Sequence, residues 1–150
     1  MVRILVDADA CPVKDEVYRV ARRIGVPVVV VANTWLNVPS APSIELIVVS
    51  SGQLEEADDR IVEMASTGDV VVTSDIPLAA RCLEKGAQVL RPDGRPFSEE
   101  NIGDALASRE LMAELREMGT IQGGPGPFSK EDRSRFLHAL DAALRTARPG

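Results

Sequence analysis

Five short runs, Arg3–Val6, Val28–Ala32, Leu46–Ser50, Val70–Thr73 and Gln88–Leu90, are rich in Val, Ile and Leu and show no polar alternation. That pattern restricts the fold more than any other feature of the chain. A strand with one face in water alternates apolar and polar residues, whereas a strand lacking the alternation must be covered on both faces, as in a parallel sheet. The stretches between the runs have the helical period instead. Pro12–Ile24 carries Val13, Val17, Val20, Ala21 and Ile24 on one stripe, with Pro12 suited to a first helical position. Leu54–Thr67 repeats the pattern with Leu54, Ala57, Ile61 and Ala65, and Pro77–Lys85 is a third such segment. Strands alternating with helices imply right-handed crossovers and helices on both sides of the sheet. The expected fold is α/β: a three-layer α/β/α arrangement around a mostly parallel sheet of about five strands.

From Ser98 the pattern is helical only, with helices over Ser98–Met118 and Ser129–Ala147 forming a C-terminal portion at 98–147. Ser129-Lys130-Glu131-Asp132 reads as a capping box, while Ser98, followed by Asn101, does not. Gly123-Gly124-Pro125-Gly126-Pro127 reads as a turn, because it follows no strand and lacks the lysine and hydroxyl of a phosphate-binding loop. The connection from Asn33 to Pro42 has no clear period. A chain of 150 residues is the usual size of one domain, taken here as 1–150.

The longest apolar run, Val26–Ala32, is too short for a membrane span, and the N-terminus enters a strand without the features of a signal peptide. Cys11 and Cys82 alone make no disulfide framework, so a cytoplasmic location is expected. With one histidine, His138, and no CxxC pair, any metal is expected to be held by oxygen. The net charge of −6 argues against a protein that coats nucleic acid non-specifically. It is compatible with a nuclease, since an acidic cluster holding a cation presents positive charge to phosphate.

In an open parallel sheet, ligands bind outside the carboxyl ends of the strands, near the point where strand order reverses. The first run ends in Val6-Asp7-Ala8-Asp9 and the fourth in Thr73-Ser74-Asp75. If these strands are neighbours, Asp7 and Asp75 face one another across the crevice. Asp9 can join them or cap the helix near Pro12. Helical phase sets Asp58 beside the buried stripe and Asp59 further round, so one of the two points toward the crevice. Carboxylates gathered in this way call for a proton or a cation between them. Lys14 could reach a phosphate or an aspartate. Cys11, near a helix start, is expected to be a small buried filler rather than a reactive thiolate. Arg133, with other arginines on the last two helices, could contact phosphate.

Val6-Asp7-Ala8-Asp9-Ala10-Cys11-Pro12-Val13-Lys14, Ala57-Asp58-Asp59-Arg60-Ile61-Val62, Val72-Thr73-Ser74-Asp75-Ile76-Pro77-Leu78-Ala79 and the tail from Gly124 to Phe136 together resemble the YaiI/YqxD proteins, a branch of the PIN-like nuclease folds. The resemblance implies a metal-dependent nuclease acting on phosphodiesters, RNA before DNA. It places Asp7, Asp59 and Asp75 as catalytic residues, and Asp7, Asp9, Asp58, Asp59 and Asp75 as the set from which Mg²⁺ or Mn²⁺ ligands are drawn. Such ions activate water for in-line attack. Thr73 and Ser74 would orient water or ligand, and Lys14 and Arg133 would contact substrate. A further acidic residue expected after the fourth strand has only Asp93 as a nearby candidate, in a Pro-Asp-Gly turn.

Two other functions fit the same residues. Asp7-Ala8-Asp9 with a later Thr/Ser resembles the haloacid dehalogenase phosphatases, with Asp7 as nucleophile, Asp9 as acid and Lys85 as the lysine, but no Asp-Asp pair follows. Alternatively, the chain is a non-catalytic RNA- or nucleotide-binding protein with a structural metal. Against that stands an aromatic content of only 3%, which leaves few platforms for stacking bases.

Overall fold

In a computed structural model that describes residues 2–9, 11–49, 56–119 and 128–147, the sheet has six strands. They are β1 (Ile4–Asp7), β2 (Val28–Ala32), β3 (Ile44–Val48), β4 (Val70–Val72), β5 (Gln88–Leu90) and β6 (Pro96–Phe97), in the order β3-β2-β1-β4-β5-β6. The first five are mutually parallel and β6 is antiparallel to β5. The helices are α1 (Lys14–Ile24), α2 (Glu56–Met64), α3 (Ile76–Glu84), α4 (Ile102–Glu117) and α5 (Lys130–Ala147).

Alternate residues of the buried strands feed two separate cores, which is why these strands show no polar alternation. Ile4, Val6, Val28 and Val30 pack with Val13, Val17 and Val20 of the first helical segment and with Phe136, Leu140 and Leu144 of α5. Leu5, Val29, Val31 and Val71 face the other way, onto Ala57 and Ile61 of α2 and Leu78, Ala79 and Cys82 of α3. The α/β/α layering expected from the sequence is therefore present.

The differences from expectation have physical causes. β3 begins at Ile44, two residues before the predicted Leu46, because its register is set by pairing with β2 (Val28 with Ile44, Ala32 with Val48). As an edge strand it is only partly buried, so burial marks its limits poorly. β6 was not expected. It is two residues long and is formed by a hairpin, in which the Arg91 amide donates to the Arg95 carbonyl at 2.9 Å and the Gly94 amide to the Arg91 carbonyl at 2.9 Å. Asp93 accepts from the Arg95 amide at 3.0 Å, so it serves the turn, as its Pro-Asp-Gly setting suggested.

α2 ends at Met64, short of the predicted Thr67, and Leu54 lies outside the described residues, as does the turn at 123–127. The capping box at Ser129 forms: its hydroxyl accepts from the Asp132 amide at 3.1 Å and its amide donates to the Asp132 carboxylate at 3.0 Å. Ser98 and Asn101 form the same reciprocal pair at 3.2 and 2.9 Å, a correction to the sequence reading. The Asn101 carboxamide oxygen accepts the amide proton as a carboxylate would.

The buried polar residue Asp69 sits at the opposite edge of the sheet from Asp7. It accepts from the Arg3 amide and side chain at 3.3 Å each, and from the Ser66 amide and hydroxyl at 3.1 Å each. The Arg3 guanidinium also donates to the Met64 carbonyl. These bonds offset the cost of burying the carboxylate and tie β1 to the turn before β4.

Candidate functional site

The chain passes from β1 outward through β2 to β3, then returns to place β4 on the other side of β1. Strand order therefore reverses between β1 and β4, where a crevice opens at the carboxyl ends of the two strands. β1 and β4 pair in register from Ile4–Val70 to Val6–Val72, which sets Asp7 beside Thr73. The buried Thr73 hydroxyl donates to Asp7 Oδ2 at 2.7 Å and accepts from the Asp75 amide at 3.0 Å. One hydroxyl thus orients both strand-end aspartates.

Burial, then the charges of Asp75 and Asp9, push the Asp7 carboxyl above the usual carboxylate range, against the Thr73 hydrogen bond and the Lys14 charge, which lower it. The Asp58 carboxyl, partly buried, is pushed up to about 6 by burial and then by the charges of Asp75 and Asp7. Asp7, Asp58 and Asp75, from β1, α2 and the segment after β4, therefore repel one another across the crevice. Asp59, one residue on, points away: it is exposed and paired with Arg81 of α3 at 2.9 Å. Helical phase left that choice open, and the Arg81 contact decides it.

Asp75 also has the structural role of an N-cap, its Oδ1 accepting from the Leu78 amide at 2.9 Å at the start of α3. Asp9 does not cap α1, whose first residues receive no side-chain cap. Its Oδ2 accepts instead from the Asn33 amide at 3.1 Å and the Asn33 carboxamide at 2.7 Å, joining the ends of β1 and β2. Lys14 Nζ donates to the Cys11 carbonyl at 2.8 Å, with its charge felt at Asp7. Cys11 is buried and its thiol is pushed up by that burial, as suits a filler rather than a nucleophile. Ser74 is exposed at the mouth.

Arg133 is engaged within the fold: it donates to the Pro12 carbonyl and to Glu16, both at 2.8 Å, and covers the Phe128 ring at 5.0 Å. Asn33 was not singled out from the sequence, because only the folded sheet brings β2's end to Asp9. Among the described residues, no group of three or more His, Cys, Asp or Glu side chains is placed to hold a metal ion. No helix of the described residues is long and apolar enough to cross a membrane.

A neutral side chain at position 58 tests the repulsion. The folded state holds the Asp58 proton more tightly than the unfolded chain does, so this group's contribution to stability falls as pH rises from 3.8 to about 6 and is lost above that window. Asp58→Asn is therefore expected to melt at a higher temperature than the parent at neutral pH, with the difference vanishing below 3.8. Thermal melts across that range check it; equal melting temperatures at neutral pH would mean that neither burial nor the neighbouring carboxylates disfavour the ionised form of Asp58.

The model of the uncharacterised YaiI/YqxD family matches residues 5–146. The UPF0178 protein amb2838 of Paramagnetospirillum magneticum is 57% identical over 148 residues, covering 99% of this chain and 97% of that protein. A UPF0178 protein of Rhodopseudomonas palustris strain BisB18 is 59% identical over 95% of this chain and 92% of its own length. The UPF0178 protein bll3966 of Bradyrhizobium diazoefficiens is 58% identical over 95% of this chain and 85% of its own. No solved structure gives a significant match. With these relatives spanning nearly its whole length, the chain belongs to the YaiI/YqxD family.

Proposed function

We propose that Asp7, Asp58 and Asp75 bind Mg²⁺ or Mn²⁺ and that the protein hydrolyses phosphodiester bonds, with RNA as the preferred substrate on the strength of the PIN-like resemblance. The observation that carries this reading is the placing of Asp7, Asp58 and Asp75 at the switch point of the sheet, where burial first and then their mutual charges raise Asp7 and Asp58. A divalent cation relieves that repulsion.

The donor set fits a hard ion, being carboxylate oxygen throughout. Mg²⁺ keeps several waters and needs only one or two protein carboxylates beside the substrate phosphate, so the reading does not require a preassembled three-carboxylate cage. Held by these carboxylates, such an ion would make a coordinated water more acidic and would supply positive charge for the phosphate. The chain's own groups do the rest. Thr73 holds the Asp7 carboxylate in one orientation, and the helix cap does the same for Asp75. Lys14, whose charge is felt at Asp7, and the exposed Ser74 are assigned to the substrate phosphate. Asp59 and Arg133 are assigned supporting roles, the first steadying α2 against α3 and the second tying α5 to the start of α1.

The open geometry also leaves room for a second reading, in which the protein binds RNA or a nucleotide without cutting it. The phosphatase reading is less favoured: Asp9, its intended acid, is tied to Asn33 at the end of β2 by two hydrogen bonds, and no Asp-Asp pair follows Lys85. End-labelled RNA and DNA incubated with Mn²⁺, Mg²⁺ or EDTA test the proposal. Cleavage with either metal and none with EDTA is expected. Retention of intact RNA under every condition would transfer the protein to the non-catalytic class.

A further inference from the structure

Trp35, the only tryptophan in the chain, is 72% exposed. It lies two residues beyond Asn33, whose side chain and amide are bonded to Asp9 at the rim of the acidic centre. Because β2 and β3 are parallel, the segment joining them must run from the carboxyl edge of the sheet back to the amino edge. It does so across α1: Leu36, Val38 and Ala41 pack into the core shared with that helix, while Trp35 does not. A large flat ring is thereby left in water on a segment pinned at both ends, when its apolar neighbours are partly buried.

The same segment, through Pro39, closes a cleft of about 410 Å³ with Asp15, Tyr18, Arg19 and Arg22 of α1. Arg19 and Arg22 form no ion pair among the described residues, and the buried Tyr18 hydroxyl has no hydrogen-bond partner among them. The segment that carries the exposed aromatic face thus also borders, through Pro39, a cleft with two guanidinium groups and an unpartnered hydroxyl beside one carboxylate, Asp15. Nucleic acid in single-stranded form presents that chemistry in reverse, as unstacked bases linked by phosphates.

We propose that Trp35 is a stacking platform for an unpaired nucleobase of a single-stranded nucleic acid, with Arg19 and Arg22 receiving its phosphates. The inference rests on the nucleic-acid reading of the acidic centre but not on cleavage. It assigns the chain's single tryptophan, two residues from Asn33, the stacking role that a composition poor in aromatics otherwise lacks. The ring would position substrate rather than react.

Intrinsic fluorescence reads Trp35 alone, so an oligouridylate titrated into the full-length protein in EDTA, and separately in Ca²⁺, reports directly on the ring. Quenching by the single strand and none by a duplex of the same length is expected. By anisotropy of a labelled oligouridylate, Trp35→Ala should bind about five- to a hundredfold more weakly, with Trp35→Phe within a few-fold of the parent. Arg19→Gln with Arg22→Gln should flatten the salt dependence. Because Trp35 is exposed, the alanine variant should keep the parent's melting temperature.

Equal affinity of Trp35→Ala and the parent, or no binding in either buffer, overturns the proposal. So does sedimentation showing that Trp35→Ala converts a dimer to a monomer, which would assign the ring to a second copy of the chain. Quenching without any cleavage in Mn²⁺ would instead leave this inference standing and remove only the hydrolytic one.

Discussion

Replacing Asp7 by asparagine is expected to lower Mn²⁺-dependent phosphodiester cleavage by at least about a hundredfold, since even residues that merely orient metal ligands are worth ten- to a hundredfold. The same substitution should raise the melting temperature at neutral pH. Burial and the charges of Asp75 and Asp9 hold the Asp7 carboxyl above its ordinary value, so the ionised form weakens the fold there. Asparagine is nearly the same size, and its carboxamide oxygen can still accept from Thr73. Lost activity with gained stability is the signature of a carboxylate kept for chemistry. Lost activity together with a lower melting temperature would show instead that Asp7 is a structural group. An isotope-labelled Mn²⁺ titration of both proteins supplies the third readout, with weaker binding expected for the variant.

The second large effect is structural and lies away from the carboxylates. Gly94, in the turn between β5 and β6, has φ +90°, and a Cβ added there would stand 2.6 Å from the Arg135 carbonyl carbon, 2.7 Å from its oxygen and 2.7 Å from the Phe136 amide nitrogen. These are backbone atoms of α5, which cannot swing aside as the end of a side chain can. Left-handed strain and the clash should together cost Gly94→Ala about 2 to 5 kcal/mol. Chemical denaturation measures it. A loss below about 1 kcal/mol would mean that α5 can lift off the turn without loosening Phe136, which is fully buried beneath it. The same measurement reports how firmly the C-terminal helix is bound to the sheet.

Much of this architecture is legible in the chain because burial leaves a periodic trace. β2 and β5 have the limits that their apolar runs predict, and α1 buries Val17, Val20 and Ala21 from its predicted stripe. β3 and β6 were harder to place, since an edge strand is partly solvated and a two-residue strand has no period at all. The family resemblance was carried by contiguous motifs and agrees with relatives that span the whole chain. The acidic centre was legible as a set of strand-end aspartates, not as an arrangement.

The sequence by itself determined most of the strand and helix segments, that the central strands are covered on both faces, and that Asp7 ends one of them while Asp75 follows another. Those properties depend on near neighbours and on hydrophobic period. Only the tertiary structure made β1 and β4 adjacent, so that Thr73 reaches Asp7 across 66 positions of sequence. It turned Asp58 toward the crevice while Arg81 held Asp59 outside, gave Asp9 to Asn33, and left Trp35 exposed to water. Contacts of that kind arise from register and crossover geometry between distant segments, and a single chain carries no local periodicity that encodes them.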